Sequence, residues 1–195
     1  MSSPQVKIYV LPDGTMPRRM SEGAIGYDVY LRAIVSPYEK DPKNEHLRKT
    51  LFDFKDIGHC RVQRFVEMRP EEEGKRPKPA FRLDAGQMAL CGIGFMTEME
   101  FPLCYLTLPR SGLASKHHII IGNAPGTVDP DYRGEAGIIL YNCGMNPFYL
   151  YKDMRIAQIL FTYAVIPEFK RIANHTRLKS TNRGAGGFGS TGLRG

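Results

Sequence analysis

Fourteen prolines and twenty glycines are scattered through these 195 residues, and they leave almost no room for a long helix. Proline in a helix interior removes a backbone donor and clashes with the preceding turn, at a cost of about 3 kcal/mol. Between the breaks lie short runs rich in β-branched and aromatic residues, at 6–10, 27–31, 61–68, 87–93, 105–108, 119–121, 137–141 and 156–163. Clusters of Gly, Pro, Asn and Asp separate them. Many short strands joined by turn residues predict an all-β sandwich or barrel. The length suits one domain with a sizeable core.

One helix is expected, over residues 42–54. Asp41 is placed to cap it, Pro42 suits a first helical turn, and Leu47, Leu51 and Phe54 fall on one helical face. That helix would lie in a charge-dense stretch, residues 36–84, whose 71–78 portion (Glu71, Glu72, Glu73, then Lys75 to Lys78) reads as an exposed loop. With no internal repeat and no linker composition, the stretch is expected to be an insertion within a single domain spanning 1–181. Residues 182–195 form a separate Gly-rich arm.

The net charge is +7. Beyond Tyr163 only Glu168 opposes Lys170, Arg171, Arg177, Lys179, Arg183 and Arg194, so the anion-seeking charge is concentrated near the C-terminus. No dense Lys/Arg run accompanies it, and direct nucleic-acid binding is not expected. Cys60, Cys91, Cys104 and Cys143 form no Cys-x-x-Cys pair, and they read as four small buried hydrophobes. The five histidines show no metal-ligand spacing. Without a signal-like start or a long apolar run, the expected place is the cytoplasm, away from membranes.

The arm from Arg183 to Gly195 combines glycines with one arginine, one phenylalanine and the pair Ser190 and Thr191. Glycine lets backbone amides approach a ligand, arginine and hydroxyls donate to phosphate oxygens, and an aromatic ring can stack on a planar group. The register fits Gly-x-Gly-x-x-Gly twice. No strand-like run precedes it and no helical pattern follows, so a dinucleotide-binding βαβ unit is excluded.

Four further segments carry residue types suited to a nucleoside triphosphate. Residues 24–30 place Asp28 after a Gly-Tyr turn at the start of a strand. Residues 109–114 put Arg110, Ser111 and Gly112 at a short helix start, a natural phosphate position. Residues 122–134 form a hairpin-like segment bearing Asn123, Asp129, Asp131 and Tyr132. Residues 153–161 bring Arg155 and Gln158 to the edge of an apolar strand.

In this order, the five segments resemble the motifs of the homotrimeric dUTPases, over residues 24–31 and 87–192. The resemblance implies a jelly-roll-like β-clip or barrel fold and a homotrimer with three shared active sites. Each arm would close over a neighbouring subunit's site. It also implies hydrolysis of dUTP to dUMP and pyrophosphate with Mg2+, which limits uracil incorporation into DNA and supplies dUMP for dTMP synthesis.

Residue by residue, Asp129 is similar to the carboxylate that activates the attacking water, and Tyr132 to the ring that leaves no room for a 2′-hydroxyl. Asn123 matches a position that reads the uracil edge. Arg110, Ser111, Gly112 and Gln158 resemble phosphate contacts, and Asp28 a carboxylate that supports the metal-triphosphate end indirectly. Arg183, Gly189, Ser190 and Thr191 look like donors of the arm, and Phe188 like its lid over uracil.

Residues 36–84 exceed what a compact member would carry, and Ile25 is bulkier than the small residue usual at its position. The dCTP deaminases are the nearest rival, but the glutamate their chemistry needs would fall at Ile139, which transfers no protons. A second alternative is a nucleotide-gated regulatory protein that recruits a partner through residues 36–84.

Overall fold

The structure, a computed structural model, describes residues 3–55, 66–69 and 78–187. The chain divides into two compact units, Met1–Ala164 and Val165–Gly195.

The described part of the first unit is built of short antiparallel strands. A five-stranded sheet runs β10 (Ile119–Ile121), β12 (Gly137–Asn142), β7 (Met88–Gly92), β3 (Ala33–Asp41) and β4 (Asn44–Phe52). A four-stranded sheet runs β11 (Gly126–Val128), β9 (Leu103–Leu108), β14 (Arg155–Tyr163) and β2 (Tyr27–Tyr30). Two smaller sheets are β13 (Phe148–Tyr151), β6 (Lys78–Leu83) and β5 (Val66–Arg69), and β1 (Lys7–Val10) with β8 (Phe95–Glu98). One helix, α1 (Ser111–His117), follows β9. This is the all-β architecture that the short apolar runs predict.

Strand alternation explains the core. In β12, Ile138, Leu140 and Asn142 point inward while Gly137, Ile139 and Tyr141 remain partly exposed, the period-two pattern of a strand with one buried face. Ile138 and Leu140 join Val29, Leu31, Cys91, Ile93, Phe95, Tyr105, Ile156 and Ile159 in one cluster. Burial holds the Cys91 thiol and the Tyr105 phenol well above their ordinary pKa, so both stay neutral.

The helix expected over 42–54 does not form. Residues 33–52 make a β-hairpin instead, with Asp41 opposite Asn44 and Ile34 opposite Phe52. Asp41 Oδ1 accepts the Lys43 amide at 2.8 Å and Asn44 Oδ1 accepts the His46 amide at 3.0 Å. An aspartate followed by proline has the chemistry of a helix start and equally that of a tight turn. A waiting partner strand, β3, decides in favour of the turn.

The charge-dense stretch also reaches the core. Phe52 and Phe54 pack edge-to-face at 4.8 Å, and Phe81 lies 5.8 Å from Phe52. Of the expected 71–78 loop, residues 71–77 lie outside the described residues, as does Cys60, while Lys78 opens β6. Of the other cysteines, Cys91 and Cys104 are buried, but Cys143 is exposed. That corrects the expectation for Cys143: it stands just past the last inward position of β12, and its thiol donates to the His118 carbonyl at 2.9 Å.

The second unit contains, among its described residues, a 3-10 turn at His175–Arg177, where the Asn174 side chain accepts the Thr176 amide. No described helix is long and apolar enough to cross a membrane.

Phe52 is fully buried whereas Tyr38, on the same hairpin, is 93% exposed. Phe52→Ala should therefore lower unfolding free energy by about 3–5 kcal/mol, and Tyr38→Ala should change it by less than about 0.5 kcal/mol. Chemical denaturation of the two variants measures the difference.

Candidate active site

Asp28 is a buried carboxylate, 1% exposed, on the edge strand β2. The β2–β14 register sets it opposite Gln158, and the β14–β9 register sets Gln158 opposite Leu108. Three side chains converge on it. Arg155 Nη1 lies 3.0 Å from Oδ2, Gln158 Nε2 donates to Oδ1 at 2.9 Å, and Arg110 Nε stands 3.5 Å from Oδ1. Arg110 also donates to the Arg155 carbonyl at 3.0 Å. Gly26 leaves room for this arrangement, because a Cβ there would come within 3.2 Å of Gln158 Oε1.

Two guanidiniums around one carboxylate leave a net positive charge, and both arginines keep part of their surface in solvent. Such a cluster holds its cations in fixed directions and suits an anion. Ser111 and Gly112, both exposed, open α1 immediately beside Arg110, and no side chain caps that end. The structure thus brings together Asp28, Arg110, Ser111, Gly112 and Gln158. It adds Arg155 as a full member of the cluster.

Asp28 itself is spent on its neighbours: both oxygens are engaged by the cations and the amide. As a direct metal ligand it is a poor fit. Mg2+ is bound through one or two carboxylates plus substrate phosphates, and these residues fit an ion that arrives on a polyphosphate.

Asp129 lies elsewhere. It follows Val128, which pairs with Tyr105 near the start of β9, whereas Arg110 follows Leu108 at the end of β9. The separation is roughly six residues of extended chain, or roughly 20 Å. Asp129 lines an open cleft of about 330 Å³ with Met99, Phe101, Pro130, Asp131 and Arg133. The Tyr132 amide closes the turn onto the Asp129 carbonyl at 3.2 Å.

Asn123 folds against Gly126, where a Cβ would meet Asn123 Nδ2 at 2.9 Å and Thr107 Oγ1 at 2.5 Å. Tyr132 packs on Gly134, where a Cβ would stand 2.5 Å from the phenol oxygen. Glycine at both positions is thus a matter of space; Asn123 precedes β11 at its Thr107 end, whereas Asp129 and Tyr132 follow β11 beyond Tyr105.

Arg183 is exposed in the second unit, where its Nε donates to the Gly186 carbonyl at 2.9 Å. Phe188, Gly189, Ser190 and Thr191 lie outside the described residues.

One pair escaped the sequence reading. Arg32 and Glu135, 8% and 2% exposed, form a two-pronged ion pair at 2.7 Å on each prong. Burial works against the Arg32 charge, but Glu135, with Asp13 behind it, outweighs burial and raises the guanidinium pKa above its ordinary value. The available signal was a lone charge between apolar neighbours at Leu31-Arg32-Ala33; Glu135, two residues after Arg133, carried none.

An antiparallel β protein with a cationic cluster at one end of a sheet and an exposed carboxylate hairpin at the other is the class defined so far. Comparison with known proteins narrows it. Residues 80–192 match the dUTPase family model. The deoxyuridine 5′-triphosphate nucleotidohydrolase of Rickettsia akari is 43% identical over 113 residues, 57% of this chain and 73% of the relative. That of Rhizobium etli is 42% identical over 128 residues, 66% and 78% of the two chains. The chain belongs to the dUTPase family.

Among solved structures, a mutant dUTPase of Staphylococcus bacteriophage 80alpha with dUpNHpp shares the fold at a TM-score of 0.67 and 17% identity, covering 98% of this chain and 100% of that one. The dUTPase of phage phi11 of S. aureus, described with a species-specific insert, gives 0.60 at 14% identity, over 89% and 99%. Ile139 of β12, the position at issue for a deaminase, pairs with Leu90 of β7 and offers no carboxylate.

Asp28→Asn would leave Arg110 and Arg155 without a counter-charge and free them from their fixed directions. Binding of inorganic tripolyphosphate, followed by calorimetry, should weaken by about tenfold or more, as expected for breaking a partly buried charged cluster.

Proposed function

We propose that the protein hydrolyses dUTP to dUMP and pyrophosphate at sites shared between the subunits of a homotrimer. One observation carries the sharing: Asp129 and the Arg110–Gln158 cluster sit at opposite ends of β9, so one chain cannot apply both to one α-phosphate.

In this reading Arg110, Ser111, Gly112 and Gln158 receive the phosphates, with Asp28 holding Arg110 and Gln158 in direction and Arg155 beside them. Their positive charge neutralises the polyanion that otherwise repels a nucleophile. Asp129 of a neighbouring subunit accepts a proton from one water, whose oxygen bonds to the α-phosphorus as the bond to the pyrophosphate oxygen breaks.

Asn123 reads the uracil edge, and the Tyr132 ring fills the space a 2′-hydroxyl would need. Arg183, Gly189, Ser190 and Thr191 bring further donors to the terminal phosphates, and Phe188 covers the base. Mg2+ arriving with the triphosphate would supply Lewis-acid charge neutralisation beside Arg110 and Gln158. The activity would act in the cytoplasm, where it limits uracil incorporation into DNA and supplies dUMP for dTMP synthesis.

Asp129→Asn keeps the shape of the hairpin but removes the base. Pyrophosphate release from dUTP should fall by about 10²–10⁴-fold in kcat with KM changed only slightly, the size expected for a lost general base. Unchanged turnover would remove Asp129 from the reaction. Wild-type protein should release no ammonia from dCTP; ammonia release would favour a deaminase.

A further inference from the structure

Glu135, just after the Asp129 hairpin, is held through both its side chain and its backbone. Its carboxylate receives Arg32 on both oxygens at 2.7 Å, and Oε1 also accepts the Gly94 amide at 2.8 Å. Gly92 faces it without a side chain, since a Cβ there would lie 2.6 Å from Oε1. Its backbone is held as firmly. The Glu135 amide donates to the His46 carbonyl of β4 at 3.2 Å, and the Glu135 carbonyl accepts the Tyr132 hydroxyl at 3.0 Å.

The Tyr132 hydroxyl therefore ends on a peptide group that a buried ion pair fixes in place. A ring pinned at both its Cα and its hydroxyl cannot swing aside when a larger sugar is offered. A ring free to turn could make room for one more oxygen.

Buried ion pairs rarely add net stability, because desolvation offsets their attraction; what a two-pronged arginine supplies is a fixed direction. Arg32 and Glu135 are 103 residues apart in sequence, and neither lines the Asp129 cleft. We propose that Arg32 and Glu135 are positioning residues that lock the Tyr132 ring through the Glu135 carbonyl, and so set the preference for a deoxyribose over a ribose nucleotide. The inference rests on the hydrolysis of dUTP proposed above.

The readout is the ratio of kcat/KM for dUTP to that for UTP, measured beside the melting temperature. Tyr132→Phe removes only the hydroxyl that reaches Glu135, Arg32→Lys removes the two-pronged geometry but keeps the charge, and Glu135→Gln keeps the shape but not the charge. Each should lower the ratio by about tenfold, the worth of one hydrogen bond lost from a fixed geometry. The Arg32→Lys/Glu135→Gln double variant should be no worse than either single one, because both act through the same link.

Ile138→Val, buried further along β12, controls for stability alone: its melting temperature should fall with the ratio unchanged. A Tyr132→Phe protein with wild-type discrimination overturns the proposal, and it decides the matter if variants of the ion pair fail to fold. Folded Arg32→Lys and Glu135→Gln proteins with lowered melting temperatures and an unchanged ratio overturn it too, reducing the pair to a structural tie. Wild-type protein inactive on dUTP would instead refute the proposed function itself.

Discussion

The hydrogen-bonded ladders on the two sides of β9 fix where Asp129 and the Arg110–Gln158 cluster stand. On one side β11 pairs Val128 with Tyr105, which holds the Asp129 hairpin at the beginning of the strand. On the other, β14 pairs Gln158 with Leu108, which holds the cationic cluster at its end. Each register is enforced by burial: Ile159 of β14 and Tyr105 of β9 point into the core, and a slip of one residue would turn them to solvent. The distance between the two half-sites follows from strand geometry. In the proposed reaction the second half-site comes from another copy of the chain.

Each proposed half-site is organised around one buried carboxylate. Asp28 aims Arg110, Arg155 and Gln158, and Glu135 holds the peptide on which the Tyr132 hydroxyl rests. The division is economical in physical terms. A group facing substrate must stay partly solvated and free of partners, so its direction has to be set from behind. A buried charge surrounded by fixed donors does this more rigidly than an exposed one, because few alternative arrangements satisfy it. The glycines around these groups are the complement: at Gly92 and Gly134 a Cβ would collide with the side chain being held, and at Gly26 it would crowd Gln158.

Much of the fold was legible because short β-branched runs between Gly and Pro have one ready interpretation. The strands at 119–121 and 137–142 match the apolar runs within a residue. Where the reading failed, local chemistry was degenerate. Asp41 and Pro42 serve a turn as well as a helix start, and Leu47, Leu51 and Phe54 fit a helical face by chance. The strand that settled the matter, β3, lies across the hairpin.

In the candidate site, the exposed residues were visible as segments with suggestive chemistry. The contacts that organise them were not. Arg32 and Glu135 meet only through folding, and no spacing in the sequence links positions that far apart.

Subunit mixing tests the shared site most directly. Asp129→Asn subunits carry intact phosphate-binding clusters, and Arg110→Ala subunits carry an intact Asp129; each homotrimer alone should be nearly inactive. After the two are unfolded together in equal amounts and refolded, random trimers should place a working Asp129 against a neighbour's working Arg110 in about a quarter of sites. Recovery of about a quarter of wild-type dUTP turnover is the expected result. A mixture no more active than its parents would mean that both residues act within one chain, which contradicts the account.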